Sequence, residues 1–290
     1  MDAPTFLVQC LNAVQYGLLL FLVASGLTLI FGIMGVINLA HGSFYMMGAY
    51  MAFVLAPYLG DWFITHLVVG TLLAAAFGYV LEWAFFSFLY QREHLQQVLM
   101  TYALILVFEE LRSLLVGNDV HGVQVPEWLA GGFQLGELMS YPWYRVFASV
   151  ACVAVALALY FVVNRTRLGM MIRAGASNRD MARGLGIDIR WLYRIVFAGG
   201  VALAALAGMI AAPLSSVYPG MGSSVLIICF VVVVIGGIGS ISGALIASML
   251  VGIVDTFGKV FFAEYSGVGV YLLMAAVLVW RPEGLMKRAY

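Results

Sequence analysis

The chain has 290 residues, of which 64% are hydrophobic and 10% are charged, and its formal net charge at pH 7 is zero. Soluble domains carry about 25% charged residues, so the composition excludes an ordinary soluble protein, and the balanced charge gives no reason to expect a nucleic-acid partner. The apolar runs are too long and too uniform for barrel strands, which predicts an all-α integral membrane protein surrounded by lipid.

Apolar runs separated by polar breaks predict about eight transmembrane helices in a single transmembrane domain, residues 1–290. The first half, residues 5–116, has runs at 6–25, 26–37, 44–55, 63–89 and 98–116. The second half, residues 144–290, has runs at 144–163, 195–212, 225–235, 244–260 and 268–280. Several runs are short for a full crossing, so broken helices are expected in both halves. Whether residues 6–37 form one crossing or two affects this number most.

Basic residues predict the orientation of the chain. Residues 164–194, the turn at Arg92 and the C-terminal tail together hold eleven of the 14 Lys and Arg residues. If each intervening run crosses once, these segments share one side, and the positive-inside rule assigns that side to the cytoplasm. We therefore expect a multi-pass membrane protein with a cytoplasmic C-terminus. Residues 117–143 then form a loop on the outer side, whose charges are Asp119, Glu127 and Glu137; the basic residues of the tail are Arg281, Lys287 and Arg288.

A short surface helix is predicted inside the arginine-rich segment 164–194. Ser177 and Asp180 have the Ser-x-x-Asp spacing of a helix start, where the serine oxygen accepts an amide hydrogen bond. Two turns then put Met181, Ala182 and Leu185 on one apolar edge, and Gly184 and Gly186 supply a stop. Such a helix, with its basic rim, is suited to pressing against another protein. A loop that only sets the membrane topology would have the same composition.

The following helix is expected to start at Asp188. An aspartate at this position can cap the first turn by accepting backbone N–H groups. Trp191 and Tyr193 follow it closely. We expect both rings in the aromatic belt at the membrane interface.

A glycine motif occurs once in each half. Residues 32–38 and 236–242 share Gly at the first and fourth positions, Ile at the sixth and a small polar residue at the seventh. Broken helices in matching places are typical of a translocation site near the membrane midplane, although such glycines also allow close helix packing. Six crossings separate the motifs, which predicts a parallel repeat unless one segment is re-entrant. The candidate pathway residues are Gly32, Gly35, Asn38, His41, Gly42, Gly236, Gly239, Ser240 and Ser242.

Charged residues inside the apolar runs are few, and each needs a partner because charge is costly in lipid. Glu109 and Arg112 are three residues apart on one predicted helix and can form a membrane ion pair; a substrate contact is the alternative. Asp255 and Lys259 are a second candidate pair, four residues apart.

Three further polar residues have open roles. Glu82 lies near the inner end of its run, and its partner is not evident from the sequence. Glu110 points away from Arg112 on the helix. His41 can either hydrogen-bond in the pathway or tie two helix ends together.

The glycine motifs carry a resemblance to a known family. Residues 26–32, continuing through 37–42 to 47–50, resemble the first signature of the Liv-type branched-chain amino-acid permeases of bacterial ABC importers. Residues 236–244 resemble the second, and the similarity extends over nearly the whole chain, including the 117–143 loop and the ending at 281–284. The family implies a permease subunit of the bacterial inner membrane, in which residues 117–143 are a periplasmic loop. It also implies that this subunit pairs with a homologous second permease, two cytoplasmic ATP-binding subunits and a periplasmic solute-binding protein.

The arginine-rich segment also resembles a family element. Importer permeases present a cytoplasmic Glu-Ala-Ala-x-x-x-Gly element to the ATPase, and residues 180–186 keep the acid, the central Ala and the final Gly at that spacing. Met181 departs from the pattern, and no proline follows at the usual distance beyond Gly186. The implied coupling residues are Ser177, Asp180, Met181, Ala182, Leu185 and Gly186.

The chain is therefore expected to be the non-catalytic membrane subunit of an ATP-driven importer. It lacks a Gly-x-x-x-x-Gly-Lys-Ser/Thr sequence, so ATP must be hydrolysed by partner subunits. The substrate is left open among branched-chain amino acids, urea or short amides, and aromatic acids. A stand-alone ion-coupled secondary transporter is the alternative. A membrane enzyme is disfavoured, and no cofactor is expected, because the three Cys and four His residues are scattered without ligand spacing.

Overall fold

The computed structural model describes residues 2–59, 62–90, 92–134 and 140–286. Glu137 of the acidic loop, and Lys287 and Arg288 of the basic tail, lie outside these residues. Helices make up most of the described chain, which confirms the predicted all-α class. The strands β1 (Gly132–Gln134) and β2 (Ser140–Pro142) form a small antiparallel sheet in which Phe133 lies opposite Tyr141.

The described helices follow the predicted runs closely. They are α1 (Ala3–Met34), α2 (His41–Leu59), α3 (Phe63–Leu81), α4 (Ser87–Leu89), α5 (His94–Val116), α6 (Trp143–Arg165), α7 (Arg167–Ser177), α8 (Arg179–Gly184), α9 (Ile189–Ala211), α10 (Met221–Gly236), α11 (Ile241–Phe261) and α12 (Ser266–Trp280). A π-helical turn, Glu82–Phe86, connects α3 to α4. Short 3-10 turns occur at Glu127–Leu129 and Ala263–Tyr265.

Five of these helical segments are long and apolar enough to cross a membrane: α1, the stretch from α3 through α4, α6, α9 and α11. The helices α10 and α12 are apolar but shorter. The helix α2 has 19 residues and α5 has 23, and α5 carries three charged residues near its end. The predicted total of eight crossings stays a prediction.

The predicted division of residues 6–37 into two runs at Gly26 is wrong. The helix α1 is continuous over 32 residues, a length of about 48 Å, and ends only where Gly35 adopts a left-handed conformation with φ of 66°. Gly26 does not break the helix because its missing side chain is used for packing. A methyl group there would lie 2.6 Å from the carbonyl oxygen of Gly200 on α9. The glycine therefore allows α1 and α9 to touch along their backbones.

The helices α1, α2, α9 and α11 form the centre of the bundle. The helices α1 and α11 are antiparallel, since Gly252 packs on Ala13 near one end and Gly239 faces Gly32 near the other. Small residues at these crossings bring the backbones together, which is how helices associate in lipid without a hydrophobic driving force between them. The helices α5 and α6 lie at the periphery and bury only a few of their apolar side chains.

The basic segments lie at one end of this bundle, which we call the arginine end. Arg92 lines the same cavity as four arginines of the 164–194 segment. The described tail reaches this end as well, because the N–H of Leu285 donates to the carbonyl of Ile235 at the end of α10. At the opposite end, His121 exchanges two backbone hydrogen bonds with Val217 and its ring stacks on Phe53 at 4.3 Å. The assignment of the arginine end to the cytoplasm stays a prediction.

Candidate functional site

The first helix break lies between α1 and α2 and returns the chain into the bundle. Asn38 is fully buried, and its Oδ1 accepts the N–H of Ala40 at 3.0 Å, which closes a tight turn. His41 begins α2, and its Nε2 lies 3.0 Å from the carbonyl oxygen of Val23. Val23 is eleven residues before the end of α1, about 16 Å along the helix axis. The helix α2 therefore starts deep inside the bundle, and His41 ties its first turn to α1.

The second break lies between α10 and α11. Gly237 and Gly239 have φ of 98° and 83°, which side chains rarely adopt, so the reversal depends on glycine at both positions. Ser240 ends the turn as the N-cap of α11, where its Oγ accepts the N–H of Gly243 at 3.1 Å. Ser242 is exposed and points away from the buried turn.

The two predicted glycine motifs meet in space. A methyl group at Gly32 would lie 3.3 Å from the Cα of Gly239, so the motifs are in backbone contact. Both α1 and α10 run toward the arginine end, and both α2 and α11 run away from it, which is the arrangement of a parallel repeat. The contact lies at the arginine end rather than in the middle of the bundle, where it was expected. Gly35 lies there too, beside the guanidinium of Arg179.

His41 and Gly42 form a separate, deeper group of predicted pathway residues. Gly42 packs against Gly222 at the start of α10, and a methyl group on Gly42 would lie 2.8 Å from the Cβ of Leu226. The first turns of α2 and α10 thus touch inside the bundle. Packing is the role that these contacts demonstrate directly, and a pathway role stays a prediction.

The arginine-rich segment forms two short helices, α7 and α8. The predicted cap at Ser177 is wrong, because Ser177 is the last residue of α7. Asn178 caps α8 instead: its backbone is extended, and its Oδ1 accepts the N–H of Met181 at 3.0 Å. Asparagine caps a helix at least as well as serine, so a shift of one residue loses no stability. The helix α8 has six residues, and the turn after it uses a left-handed Gly186 with φ of 86°.

The predicted apolar edge of α8 is only partly exposed. The side chains of Met181 and Leu185 are 64% and 76% exposed. Ala182, which was expected on the same edge, is 2% exposed and faces the body of the bundle. Its small side chain lets α8 lie close to the rest of the protein. The surface available to another protein therefore consists of Met181 and Leu185 beside Asp180, whose carboxylate lies in the first turn.

At the start of α9 the predicted helix cap is confirmed, but the predicted position of one of the two aromatic residues is wrong. Asp188 Oδ1 accepts the N–H groups of Arg190 and Trp191, which confirms the predicted cap. Trp191 is partly exposed. Tyr193 is buried, and its ring packs edge-on against Tyr90 with centroids 4.9 Å apart. Its expected position in the aromatic belt is wrong, because α9 turns this residue toward the π-helical turn.

The structure supplies the partner that the sequence could not supply for Glu82. Tyr90 donates a 2.6 Å hydrogen bond to Glu82 Oε1, and Arg194 Nε lies 3.5 Å from Oε2. The carboxylate side chain is only 1% exposed. Sequence reasoning missed Arg194 because it lies on another helix, where no local spacing links the two residues.

Two other ion pairs form within single helices. Arg112 Nε lies 3.2 Å from Glu109 Oε2, and the same guanidinium donates to the carbonyl of Gly117 and to Asn118 Oδ1. These bonds satisfy acceptors at the end of α5, which is a structural role. Glu110 is exposed on the outer face of α5. Lys259 Nζ lies 2.6 Å from Asp255 Oδ2, and both ion pairs are near the end of the bundle away from the arginine end.

Comparisons with known proteins cover nearly the whole chain. Residues 9–278 match the family model described as branched-chain amino acid transport system / permease component. The chain is 30% identical to the high-affinity branched-chain amino acid transport system permease protein BraD of Pseudomonas aeruginosa, over 98% of this chain and 96% of that protein. It is 28% identical to the corresponding LivH of Escherichia coli K12, with the same coverage, and 27% identical to LivM of that strain, over 90% of this chain and 66% of LivM.

A solved structure is similar in fold. The chain superposes on PsaBC from Streptococcus pneumoniae in complex with Fab with a TM-score of 0.50, over 96% of this chain and 92% of that chain. The sequence identity is 11%, so this likeness concerns the fold alone.

Proposed function

Because the chain belongs to the branched-chain amino acid transport system permease family, we propose that it is the membrane-spanning subunit of an ATP-driven importer for branched-chain amino acids or related small polar compounds. The protein is a multi-pass membrane protein and a transporter subunit. Family membership does not favour the alternative of a stand-alone, ion-coupled carrier. The substrate proposal rests on the names of BraD, LivH and LivM.

The proposed assembly contains a second permease, two ATP-binding subunits and a solute-binding protein. Similarity to both LivH and LivM supports a pair of related permeases. In this assembly the arginine end faces the cytoplasm and the ATP-binding subunits, while residues 117–143 and the turn around Val217 face the solute-binding protein. The distribution of basic residues supports this orientation.

The exposed surface of α8 carries the proposal of a coupling role. Met181 and Leu185 expose apolar side chains at the arginine end, between residues that are mainly charged. A pair of exposed apolar side chains on a short, capped helix is suited to a groove on another protein. We assign ATPase coupling to this surface, with Asp180 and Gly186 shaping its two ends. Closure of the ATP-binding subunits would then bias the helix bundle through α8.

The proposed pathway runs beside the two helix breaks. Gly32, Gly35, Gly236 and Gly239 surround the backbone contact at the arginine end, and His41 and Gly42 lie deeper along the same break. Because these segments reverse without regular helical hydrogen bonds, their backbone groups can rearrange more readily than those of an intact helix. A change at the contact would alter the positions of α2 and α11 together.

Reconstitution into liposomes tests the proposed function. The chain alone should not accumulate leucine, valine, urea or benzoate under a proton or sodium gradient. The chain with its partner permease, both ATP-binding subunits, loaded binding protein and ATP should accumulate one of these compounds, and a complex with hydrolysis-defective ATPases should not. Gradient-driven accumulation by the chain alone would overturn the proposal.

A further inference from the structure

A large cavity at the arginine end shares Asp180 with the proposed coupling surface, but the proposed transport cycle does not otherwise use it. Its volume is about 1520 Å³, and it lies between two walls. One wall is formed by the π-helical turn, α4 and the turn at Arg92. The other wall is formed by α8 and the first turns of α9. The cavity is therefore built where the membrane-spanning part of α3 reaches the arginine-rich segment.

Positive charge dominates this cavity. Five arginines and three acidic residues line it, which leaves a net charge of +2. The arginines come from three separate segments of the chain, so no single helix accounts for their clustering. They are Arg92, Arg179, Arg183, Arg190 and Arg194.

Two of the three acidic side chains already have partners within the protein. Glu82 is held by Arg194 and by the hydroxyl of Tyr90. Asp188 Oδ1 accepts two backbone amides at the start of α9. The third acid, Asp180, lies on α8. The cavity therefore contains more guanidinium groups than its own carboxylates can balance.

Most of the arginines are free to bind another group. Arg179 lies over the ring of Tyr193, at 6.0 Å from its centroid. Within the part of the chain that the structure describes, no ion pair involves Arg92, Arg183 or Arg190. Guanidinium groups that converge without counter-charges repel one another, and a phosphate that accepts paired hydrogen bonds from them would remove this repulsion.

The rim of the cavity is apolar and exposed. Trp83 and Phe88 line it, and their side chains are 57% and 71% exposed. They continue the exposed apolar surface of α3, to which Leu72 and Val80 belong. A ligand that fits both features has an anionic head among the arginines and an apolar tail along the aromatic residues.

We propose that this cavity binds the phosphate head group of an anionic phospholipid, with an acyl chain lying on Trp83 and Phe88. Basic pockets between membrane helices at the cytoplasmic surface are suited to such head groups. The proposal depends on the proposed orientation only for the choice of leaflet. Retention of lipid is measured without transport, so its failure would leave the proposed function untouched.

Native mass spectrometry of the full permease complex tests this site. The complex is exchanged into nanodiscs of phosphatidylcholine containing a minor fraction of phosphatidylglycerol and is then released from the lipid. The cavity variant combines Arg92→Gln and Arg190→Gln, which leaves α8 unchanged. The control combines Arg165→Gln and Arg167→Gln, which removes the same charge from exposed residues of the same end that do not line the cavity.

We expect the wild type and the control to retain phosphatidylglycerol selectively, and the cavity variant to retain about tenfold less, a loss of about 1.4 kcal/mol. Equal retention by both variants would overturn the proposal. Millimolar inorganic phosphate should not displace the lipid; if it does so completely, the site binds a free anion instead. If lipid is retained only after the ATP-binding subunits are removed from the complex, a protein surface fills the cavity, which would also overturn the proposal.

Discussion

The buried carboxylate of Glu82 is held by residues from two distant parts of the chain. Tyr90 donates to one oxygen and Arg194 lies beside the other, so a charge that would be costly in lipid is compensated inside the protein. Arg112 has a similar role at the opposite end, where it joins Glu109 to the last carbonyls of α5. Single polar side chains therefore connect the ends of helices to their neighbours.

Removal of Arg194 should destabilise the protein by leaving Glu82 buried without its counter-charge. We expect Arg194→Met to lower the free energy of unfolding by about 3 kcal/mol, and Glu82→Gln combined with Arg194→Met to restore part of this loss. Thermal unfolding in detergent measures the effect. Arg167→Met, at an exposed arginine outside the pair, is the control. Equal unfolding temperatures for Arg194→Met and the control would contradict the role of the pair.

The cap of α8 gives a second test at single-residue resolution. Asn178→Ala should weaken α8 by about 1 kcal/mol, because the N–H of Met181 loses its acceptor. Amide hydrogen exchange at residues 179–182 should then be about fivefold faster. Ser177→Ala should leave this exchange almost unchanged, since Asn178 makes the capping bond. Faster exchange in the Ser177 variant alone would restore serine as the cap.

At the scale of helices, the molecule depends on glycine for two purposes. Gly26 and Gly42 lie inside helices and bring neighbouring backbones together. Gly35, Gly237 and Gly239 lie outside helices and adopt left-handed conformations that end or reverse the chain. The short helix α8 has a different function at this scale, since its exposed residues are available to a partner.

The apolar surface of α8 should be needed for coupling. Met181→Glu or Leu185→Glu would put a charge into the proposed apolar contact and weaken it by about 1–3 kcal/mol. Co-purification of the ATP-binding subunits and uptake should both fall, while membrane insertion is unchanged. Met170→Glu, at an exposed methionine of α7, is the matched control. Normal assembly and uptake in the α8 variants would refute the coupling role.

The contact between the two glycine motifs should be needed for transport. A leucine at position 32 would enter the space occupied by the Cα of Gly239, so Gly32→Leu should reduce uptake per folded complex by about tenfold or more. Gly199→Leu is the control, because a methyl group at Gly199 would meet no atom within 4 Å. Uptake must be normalised to folded complex. Normal uptake in the Gly32 variant would remove the case for a shared site at the breaks.

At the scale of the whole molecule, the two ends of the bundle differ in charge and in exposed structure. The arginine end carries α7, α8 and the cavity, and the other end carries the small sheet and the His121–Val217 contact. The positive-inside rule predicts that the basic end faces the cytoplasm. Because the two helix breaks are parallel, both chain reversals face the same side of the membrane.

Labelling of single cysteines tests this orientation. In a Cys10→Ser background, Gln124→Cys should react with a membrane-impermeant maleimide in intact cells. Arg165→Cys should react only after the membrane is opened. Both positions are exposed, and the remaining native residues, Cys152 and Cys229, are buried and should not contribute. The reverse pattern of labelling would invert the topology.

The sequence by itself determined the membrane class, most helix positions, the cap at Asp188 and the ion pairs within α5 and α11. These features depend on composition and on spacings of a few residues along one helix, which the sequence displays directly. The sequence-based predictions were wrong at Gly26, Ser177, Ala182 and Tyr193. At these positions local patterns allow more than one structure, and the surroundings in the folded protein decide between them.

Only the tertiary structure decided which helices touch. The pairing of Glu82 with Arg194, the contact of Gly32 with Gly239 and the cluster of arginines around the cavity all join residues that are far apart in the chain. In lipid every face of an apolar helix is equally free of water, so hydrophobicity does not select the face that packs. Close fit between small residues selects it, and that fit exists only once the helices are assembled.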